Sequence, residues 1–230
     1  MRQKDTEEDI MELTVVIPAL NEEKGIKDTV EKIKEYVPAA HVMVVDDGSD
    51  DKTAMVAEKL GAEVVRHAKN KGYGAALITG FSYSKTPFVA FLDADLTYHP
   101  RYIPQLLKLV KSKELDCAWG NRFGTSNNRM PFVRKIGNRM LVLLFFIMTG
   151  KNIKDASCGE RVFRKQSLEK IDYETLPPGL DMITAMSKRI VKRKLRYEII
   201  PIEYEKRSGS SKLNVVKDFL RMTRNILFER

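Results

Sequence analysis

The chain has 230 residues, of which 43% are hydrophobic and 31% charged, a composition that indicates one large globular domain and argues against a disordered chain. Forty Lys and Arg residues against 31 Asp and Glu give a formal charge of +9, which suits nucleotides, nucleic acid or phospholipid headgroups but also fits a basic surface that only keeps the protein soluble. The two cysteines, Cys117 and Cys158, exclude a disulfide framework and a zinc site, and we expect both to be reduced thiols in a cytosolic compartment.

Apolar runs alternate with amphipathic stretches through the first half of the chain. The apolar runs predict five strands, over residues 13–18, 41–47, 63–67, 88–93 and 116–121. The stretches between them predict helices over residues 24–36, 52–60, 72–84 and 101–113. Strands that alternate with helices of this length indicate right-handed βαβ units. We therefore predict a single α/β domain over residues 1–230, with a mostly parallel central sheet flanked by helices.

The second half is less regular and contains the most apolar segment of the chain, residues 140–150. This segment is too short to span a bilayer, so it predicts either a core helix or a helix that lies in a membrane interface. The remaining pattern predicts helices over 166–171, 180–194 and 214–229, a strand over 196–204, and loops over 124–128 and 205–213. The last helix is basic and amphipathic, and it can pack on the sheet or lie on a membrane.

Polar segments follow four of the predicted strands. They read PALNEE, DDGSDDKT, DADLT and GNRF, after the first, second, fourth and fifth strands. Because the carboxyl ends of parallel strands share one edge of an open sheet, and ligands bind outside that edge, these segments predict a ligand site there.

The segment DADLT places Asp93 and Asp95 one residue apart. On an extended strand residues i and i+2 point to the same side, so the two carboxylates can converge on Mg²⁺ or Mn²⁺ together with a diphosphate. Alternatively, Asp95 is a turn residue or a cap before the helix near Pro100, which is the more common explanation of an isolated D-x-D.

The segment DDGSDDKT also has two interpretations. Asp50 or Asp51 can cap the next helix, whereas Asp46 or Asp47 can accept hydrogen bonds from a nucleobase or ribose. The later segment KNKGYGAALITG offers glycines at a helix start, where backbone N–H groups can approach a ligand, but it matches neither the P-loop nor the dinucleotide motif.

Taken together, the segments VVIPALNEE, VVDDGSDDKT, NKGYGAALITGF, FLDADLTYHP and GNRF resemble the family 2 glycosyltransferases with the GT-A fold. The later segments DASCGERVF, GLDM and RSGSSKL resemble the branch that contains dolichyl-phosphate mannose synthase and other polyprenyl-phosphate sugar transferases. The resemblance implies a single GT-A, Rossmann-like domain. Its expected parts are a nucleotide-sugar-binding half over 13–121, an acceptor-binding half over 122–213 and a basic C-terminal helix over 214–230.

The resemblance also implies which residues bind the nucleotide-sugar donor. They are Pro18, Ala19, Glu22, Asp46, Asp47, Asp93, Ala94 and Asp95. Asp93 and Asp95 would in addition hold the divalent cation, Mg²⁺ or Mn²⁺. Relatives often have glutamine two residues after the second aspartate, where Thr97 stands in this chain.

A second set of residues matches the acceptor-binding and phosphate-binding positions of the family. They are Arg122, Arg134, Asn138, Arg207 and Lys212, with Lys206 as an alternative to Arg207.

Catalysis is assigned by the same resemblance to Asp95, Arg122 and Asp155. Asp155 would orient a basic residue or the sugar. Asp181 is a weaker candidate, because capping or surface exposure explains it as well.

The implied reaction is inverting transfer of a sugar, from GDP-mannose or a UDP-sugar, to a dolichyl or polyprenyl phosphate. The acceptor phosphate is already ionised near neutral pH and needs no strong base, which agrees with only three histidines in no evident dyad. The implied partners are the two substrates and a membrane surface on its cytoplasmic face, with peripheral association or a membrane-anchoring subunit, and no nucleic acid.

Three alternatives remain open at this point. A hydroxyl acceptor on a glycan or protein would need a base, such as Asp155 or Asp181. A nucleotidyltransferase would also be α/β with acidic metal ligands, but PALNEE stands where its glycine-rich segment is expected. A non-catalytic module that binds nucleic acid or membranes would explain the charge of +9 alone.

Overall fold

The computed structural model of the chain describes residues 12–126, 128–206 and 215–228. These residues form a seven-stranded sheet flanked by helices. The strands are β1 (Leu13–Ala19), β2 (His41–Asp46), β3 (Glu63–Arg66), β4 (Phe88–Phe91), β5 (Cys117–Asn121), β6 (Arg161–Arg164) and β7 (Tyr197–Pro201). The helices are α1 (Ile26–Tyr36), α2 (Thr53–Lys59), α3 (Tyr73–Tyr83), α4 (Ile103–Ser112), α5 (Phe132–Thr149), α6 (Lys165–Glu169), α7 (Met182–Lys192) and α8 (Val215–Phe228).

The strand order is β3-β2-β1-β4-β6-β5-β7, and every neighbouring pair is parallel except the two that involve β6. In the centre, Val16 of β1 pairs with Met43 of β2 on one side and with Phe91 of β4 on the other. From β1 the chain proceeds outward to β2 and β3, whereas after β4 it passes on the other side to β5, returns to insert β6 between β4 and β5, and ends the sheet with β7. The carboxyl ends of β1, β2, β4 and β5 therefore share one edge, and a crevice for a ligand opens between β1 and β4.

The predicted single α/β domain with a mostly parallel sheet is confirmed, as are the five predicted strands of the first half. Two details were wrong. The fourth strand ends at Phe91 rather than at residue 93, and β6 was not predicted. β6 is a four-residue strand that lies antiparallel between β4 and β5, and these two distant strands provide its hydrogen-bond partners.

The central strands form because their side chains are buried on both faces. All seven residues of β1 and all four of β4 are buried. Helix α3 lies close to β1, because a Cβ on Gly80 would come within 2.2 Å of Cγ1 of Val16. Any larger residue at position 80 would push α3 away from the sheet.

The apolar segment 140–150 belongs to α5, and it does not form a core helix. Only Leu141 and Phe145 of the 18 residues of α5 are buried. Helix α8 likewise buries Met222 and Ile226, whereas Leu220 on its other side is exposed. Within the described ranges, no helix has the length and apolar character needed to cross a bilayer.

Candidate active site

Two adjoining cavities lie at the carboxyl-end edge of the sheet. The strand-end cavity encloses about 370 Å³ and is lined by residues that follow β1, β2 and β4. The helix-side cavity lies between the residue that follows β5 and the helices α5 and α8. The two cavities share Tyr73, Asp93, Asp95, Leu180 and Asp218.

Most of the predicted donor-binding residues lie in the strand-end cavity. Its lining includes Pro18, Ala19, Glu22, Asp47, Asp93, Ala94 and Asp95. Asp46 does not line this cavity, because it is fully buried at the end of β2. Nε of Arg66 lies 3.0 Å from its Oδ2, and the N–H of Ser49 donates to its Oδ1 at 3.1 Å. Asp46 thus holds the turn after β2.

Asp47 organises the segment that leads into α3. Its Oδ1 accepts from the N–H of Lys71 at 2.8 Å and lies 2.7 Å from Nδ1 of His67, while its Oδ2 accepts from the N–H of Gly72 at 2.7 Å. Gly72 has φ of +107° and contacts the backbone of Pro178, so a side chain at position 72 would be strained. The carboxylate of Asp47 therefore fixes one wall of the strand-end cavity.

The aspartates of DADLT lie in the turn after β4, not on the strand itself. The prediction that they converge because they alternate along a strand was wrong, since β4 ends two residues before Asp93. The turn is held from the α1 side instead. The hydroxyl of Thr29 donates to the carbonyl of Ala94 at 3.0 Å, and a Cβ on Gly25 would come within 2.6 Å of that carbonyl. With the turn held in this position, the carboxylates of Asp93 and Asp95 both line the two cavities.

Asp95 is both a turn residue and a cavity residue. Its Oδ1 accepts from the N–H of Thr97 at 3.0 Å and from the hydroxyl of Thr97 at 2.6 Å. The next residue, Leu96, has φ of +60°, a left-handed conformation that is rare for leucine. Thr97 thus orients Asp95. The local capping interpretation and the ligand-binding interpretation are compatible with each other.

Asp93 is oriented by a tyrosine that the sequence analysis did not single out. The hydroxyl of Tyr73 donates to Oδ1 of Asp93 at 2.8 Å. Burial, followed by the negative charge of Asp93, raises the pKa of Tyr73 well above its ordinary value, so this hydroxyl keeps its proton. Gly159 packs behind the pair, because a Cβ there would come within 3.3 Å of Oδ1 of Asp93.

The two carboxylates of Asp93 and Asp95 are suitable ligands for a magnesium or manganese ion. Both carboxylates line both cavities, and hard divalent cations prefer carboxylate oxygens completed by substrate phosphates. Among the described residues no group of three or more His, Cys, Asp or Glu side chains is placed to hold a metal ion. A cation held by these two carboxylates would take its remaining ligands from substrate phosphates and water.

Arg122, which follows β5, lies in the helix-side cavity and is paired with Asp155. Its Nε donates to Oδ2 of Asp155 and its Nη2 to Oδ1, each at 2.7 Å, in a bidentate arrangement. Burial is the largest single influence on the pKa of Arg122 and lowers it, but the charge and hydrogen bonds of Asp155, together with Tyr98 and Cys158, outweigh burial, and the pKa lies well above its ordinary value. The guanidinium carbon also lies 5.6 Å from the centre of the ring of Tyr204.

Asp155 itself is fully buried and lines neither cavity. Two roles were predicted for Asp155, to orient a basic residue or to orient the sugar. Its carboxylate binds the basic residue Arg122. Ser157 extends this network, because its hydroxyl accepts from Nη2 of Arg122 at 2.8 Å and donates to Oδ1 of Asn138 at 3.0 Å.

The remaining predicted acceptor residues are divided between α5 and the segment after β7. Arg134 and Asn138 are on α5 and line the helix-side cavity. Lys206 is exposed and lines neither cavity. Arg207 and Lys212 lie outside the described residues.

Helix α8, which the sequence analysis predicted to pack on the sheet or lie on a membrane, contributes residues to both cavities. Asp218 lines both cavities, and Arg221 lines the strand-end cavity. Asp181 does not line either cavity. Its Oδ2 accepts from Nδ2 of Asn225 at 2.9 Å, which ties α8 to the start of α7. Asp218 and Arg221 are three residues apart on one helix side, but nothing local predicts that this side faces the site.

Comparison with known proteins gives matches over nearly the whole chain. The sequence model of the family described as Glycosyl transferase family 2 matches residues 14–172. A protein of Methanocaldococcus jannaschii, named uncharacterized protein MJ1222, is 34% identical over 215 residues, which cover 90% of this chain and 88% of that protein. The dolichyl-phosphate hexose transferase of Haloferax volcanii is 30% identical over 212 residues, which cover 91% of this chain and 90% of that protein.

Among solved structures, one similar fold is glucosyl-3-phosphoglycerate synthase from Mycobacterium tuberculosis, in complex with Mn²⁺, uridine diphosphate and glucosyl-3-phosphoglycerate. The TM-score is 0.76, with 21% sequence identity over 94% of this chain and 78% of that chain. At this level of identity the likeness shows a shared fold.

Proposed function

The chain belongs to glycosyl transferase family 2 and is a glycosyltransferase with the GT-A fold, and from this premise we propose its substrates and its place of action. We propose that it transfers a sugar, with inversion of configuration, from GDP-mannose or a UDP-sugar to a dolichyl or polyprenyl phosphate. The similarity to the Haloferax dolichyl-phosphate hexose transferase supports this class of acceptor.

The observation that carries the proposal is the meeting of two cavities at one acidic wall. The strand-end cavity has all but one, Asp46, of the residues that the family resemblance assigns to the nucleotide-sugar, and the helix-side cavity has Arg122 and Arg134 for a phosphate. Both cavities include Asp93 and Asp95. A donor in the first cavity and an acceptor in the second would therefore bring the anomeric carbon and the phosphate oxygen together at this wall.

The reaction in this arrangement depends mainly on charge. Arg122 and Arg134 would attract the acceptor phosphate, and the buried carboxylate of Asp155 would keep the guanidinium of Arg122 in one orientation. Asp93 and Asp95 would hold a divalent cation, which neutralises charge on the departing diphosphate when it is bound. Because the phosphate oxygen is already ionised, the chain needs no base at the acceptor.

A hydroxyl acceptor is less well supported. The two bases considered for it were Asp155, which is buried against Arg122, and Asp181, which binds Asn225. Neither carboxylate lines a cavity, so neither is placed to take a proton from a hydroxyl group.

We further propose that the enzyme works at the cytoplasmic face of a membrane, where a soluble nucleotide-sugar and a lipid-linked phosphate meet. Association would be peripheral, directly or through a membrane-anchoring subunit. The abundance of basic residues over acidic ones, 40 against 31, favours contact with a surface that has anionic headgroups.

A donor panel tests the proposal. The full chain is incubated with GDP-sugars or UDP-sugars, Mg²⁺ or Mn²⁺, and a short polyprenyl phosphate, and lipid-linked sugar is measured. We expect one donor to give product and Asp95→Asn to reduce its formation by about a thousandfold, because the cation loses a ligand.

Asp28→Asn is the matched control, since Asp28 is exposed on α1 and should leave transfer unchanged. Full activity of Asp95→Asn would overturn the assignment of the site. Transfer by the wild-type chain to a glycan hydroxyl but not to polyprenyl phosphate would overturn the acceptor class.

A further inference from the structure

The exposed apolar side chains of the molecule are concentrated on two helices. Of the 14 large hydrophobic side chains that are exposed in the described residues, 11 belong to α5 or α8. On α5, Val133, Ile136, Met140, Leu143 and Ile147 recur at intervals of three and four residues and so form one stripe along the helix. A contiguous apolar stripe of this kind marks an interaction surface rather than ordinary solvent exposure.

The two helices lie side by side on the same support. A Cβ on Gly137 of α5 would come within 3.7 Å of the ring of Phe219 of α8, and at the other end Met148 and Phe228 line one groove. Both helices also contact α7. Because their inner residues are packed against the body of the protein, the outer sides of α5 and α8 face the same direction.

The charge around these outer sides is strongly positive. Outside the cavities, α5 has Lys135 and Arg139 and no acidic residue, whereas its Arg134 lines the helix-side cavity. Outside the cavities, α8 has Lys217 and Arg224, whereas Arg221 and the single acid of the helix, Asp218, line them. Such a pattern is complementary to an anionic surface.

A groove with an apolar floor and lysine walls ends this surface. It encloses about 750 Å³ at the C-terminal ends of α5, α7 and α8. Its walls include Lys151, Lys188, Lys192 and Lys194, and no acidic residue is among its described lining residues. We call it the lysine groove. Lysine side chains next to exposed Met148 and Phe228 offer a lipid both a phosphate contact and an apolar contact.

We propose that the outer sides of α5 and α8, together with the lysine groove, form a docking surface for an anionic phospholipid bilayer. The apolar stripe would enter the boundary between headgroups and acyl chains, and the lysine groove would bind lipid phosphates. The proposal deepens the proposed function, on which it rests for its biological purpose. It assigns the membrane contact to a defined face of this chain and the membrane to an anionic class.

Docking by this surface would place the helix-side cavity next to the membrane. The helix-side cavity is lined by Val133, Arg134 and Gly137 from α5 and by Asp218 and Phe219 from α8, so it lies between the two helices. When the outer sides rest on a bilayer, this cavity lies next to the headgroup layer. The phosphate of a lipid-linked acceptor can then reach Arg122 while its hydrocarbon chain stays in the membrane.

Sedimentation with vesicles tests the docking surface without using transfer. The full chain is mixed with vesicles of phosphatidylcholine alone or of phosphatidylcholine and phosphatidylglycerol in a two-to-one ratio. We expect binding to the anionic vesicles to be at least about tenfold tighter and to weaken with added salt.

Two double variants locate the contact. Leu143→Glu/Ile147→Glu should weaken binding to anionic vesicles by about tenfold or more, because two charges would enter the apolar boundary. Lys192→Gln/Lys194→Gln should weaken it by about 25-fold, since each of the two basic residues near an anionic surface contributes about fivefold. Met55→Glu is the matched control, because Met55 is an exposed apolar residue on α2, and it should bind like the wild-type chain.

The outcomes separate this proposal from the proposed function. Asp95→Asn should lose transfer but bind vesicles normally, and normal binding by a chain without any transfer activity supports docking alone. Equal binding to neutral and anionic vesicles, or wild-type binding by Leu143→Glu/Ile147→Glu with an intact thermal unfolding transition, would overturn the docking surface. A wild-type dimer that Leu143→Glu/Ile147→Glu dissociates, together with no vesicle binding, would also overturn it.

Discussion

The two cavities share a wall but are built differently. The strand-end cavity is formed by loops that are tied to the sheet, as when Asp47 accepts from the N–H groups of Lys71 and Gly72 and Thr29 binds the carbonyl of Ala94. The helix-side cavity has a fixed floor, the Arg122–Asp155 pair, but walls from α5 and α8 that bury few side chains. The strand-end cavity is therefore preorganised, whereas the helix-side cavity has adaptable walls over a rigid floor.

The largest effect is predicted for loss of the ion pair between Arg122 and Asp155. Asp155→Asn leaves the guanidinium of Arg122 buried without its carboxylate, so we expect the free energy of unfolding to fall by about 3–5 kcal/mol and transfer to be lost. Urea denaturation and the transfer assay measure the two effects. The double variant Arg122→Leu/Asp155→Leu should regain most of the stability but none of the transfer. A loss of stability below about 1 kcal/mol in Asp155→Asn would show that the pair is not fully desolvated.

A second prediction concerns a buried carboxyl group directly before β6, Glu160. Glu160 is fully buried next to Gly159, and neither carboxylate oxygen has a hydrogen-bond partner among the described residues. Burial raises the pKa of Glu160 well above its ordinary value, so the folded chain keeps a proton that the unfolded chain releases. The stability of the fold therefore falls as the pH rises above the ordinary value of 4.5.

The substitution Glu160→Met removes the buried carboxyl group and with it the loss of stability at higher pH. We expect its stability advantage over the wild-type chain to be small near pH 4 and then to grow by up to about 1.4 kcal/mol for each pH unit, until the folded chain itself ionises. Urea denaturation at a series of pH values measures it. Glu35→Met, on the exposed side of α1, should show no such growth. An advantage that does not change with pH would mean that Glu160 is ionised in the fold.

The smallest predicted effect tests how far the wall between the cavities is preorganised. Tyr73→Phe removes the hydrogen bond to Asp93, so we expect the KM for the donor to rise about tenfold with little change in thermal stability. Tyr83→Phe, an exposed tyrosine on the same helix, is the control. A change in kcat alone would instead indicate that Tyr73 acts after the donor has bound.

The sequence by itself determined the class of fold and the edge of the sheet that has the site. Apolar runs and amphipathic stretches encode burial locally, so β1, β2, β4 and β5 and their polar ends were predictable, as was the position of Asp93 and Asp95 at that edge of the sheet, where they line a cavity. Segments that resemble a known family added Arg122, Arg134 and Asn138 to the acceptor side, and the structure brings these residues to one cavity.

Only the tertiary structure decided how distant segments meet. β6 is stable as a strand because β4 and β5 provide its hydrogen-bond partners on both sides, which no local pattern reveals. Asp218 reaches both cavities because α8 packs beside α5, more than 80 residues along the chain from β4. Local sequence encodes the period of burial along an element. The position of that element depends on packing free energy summed over residues far apart in the chain.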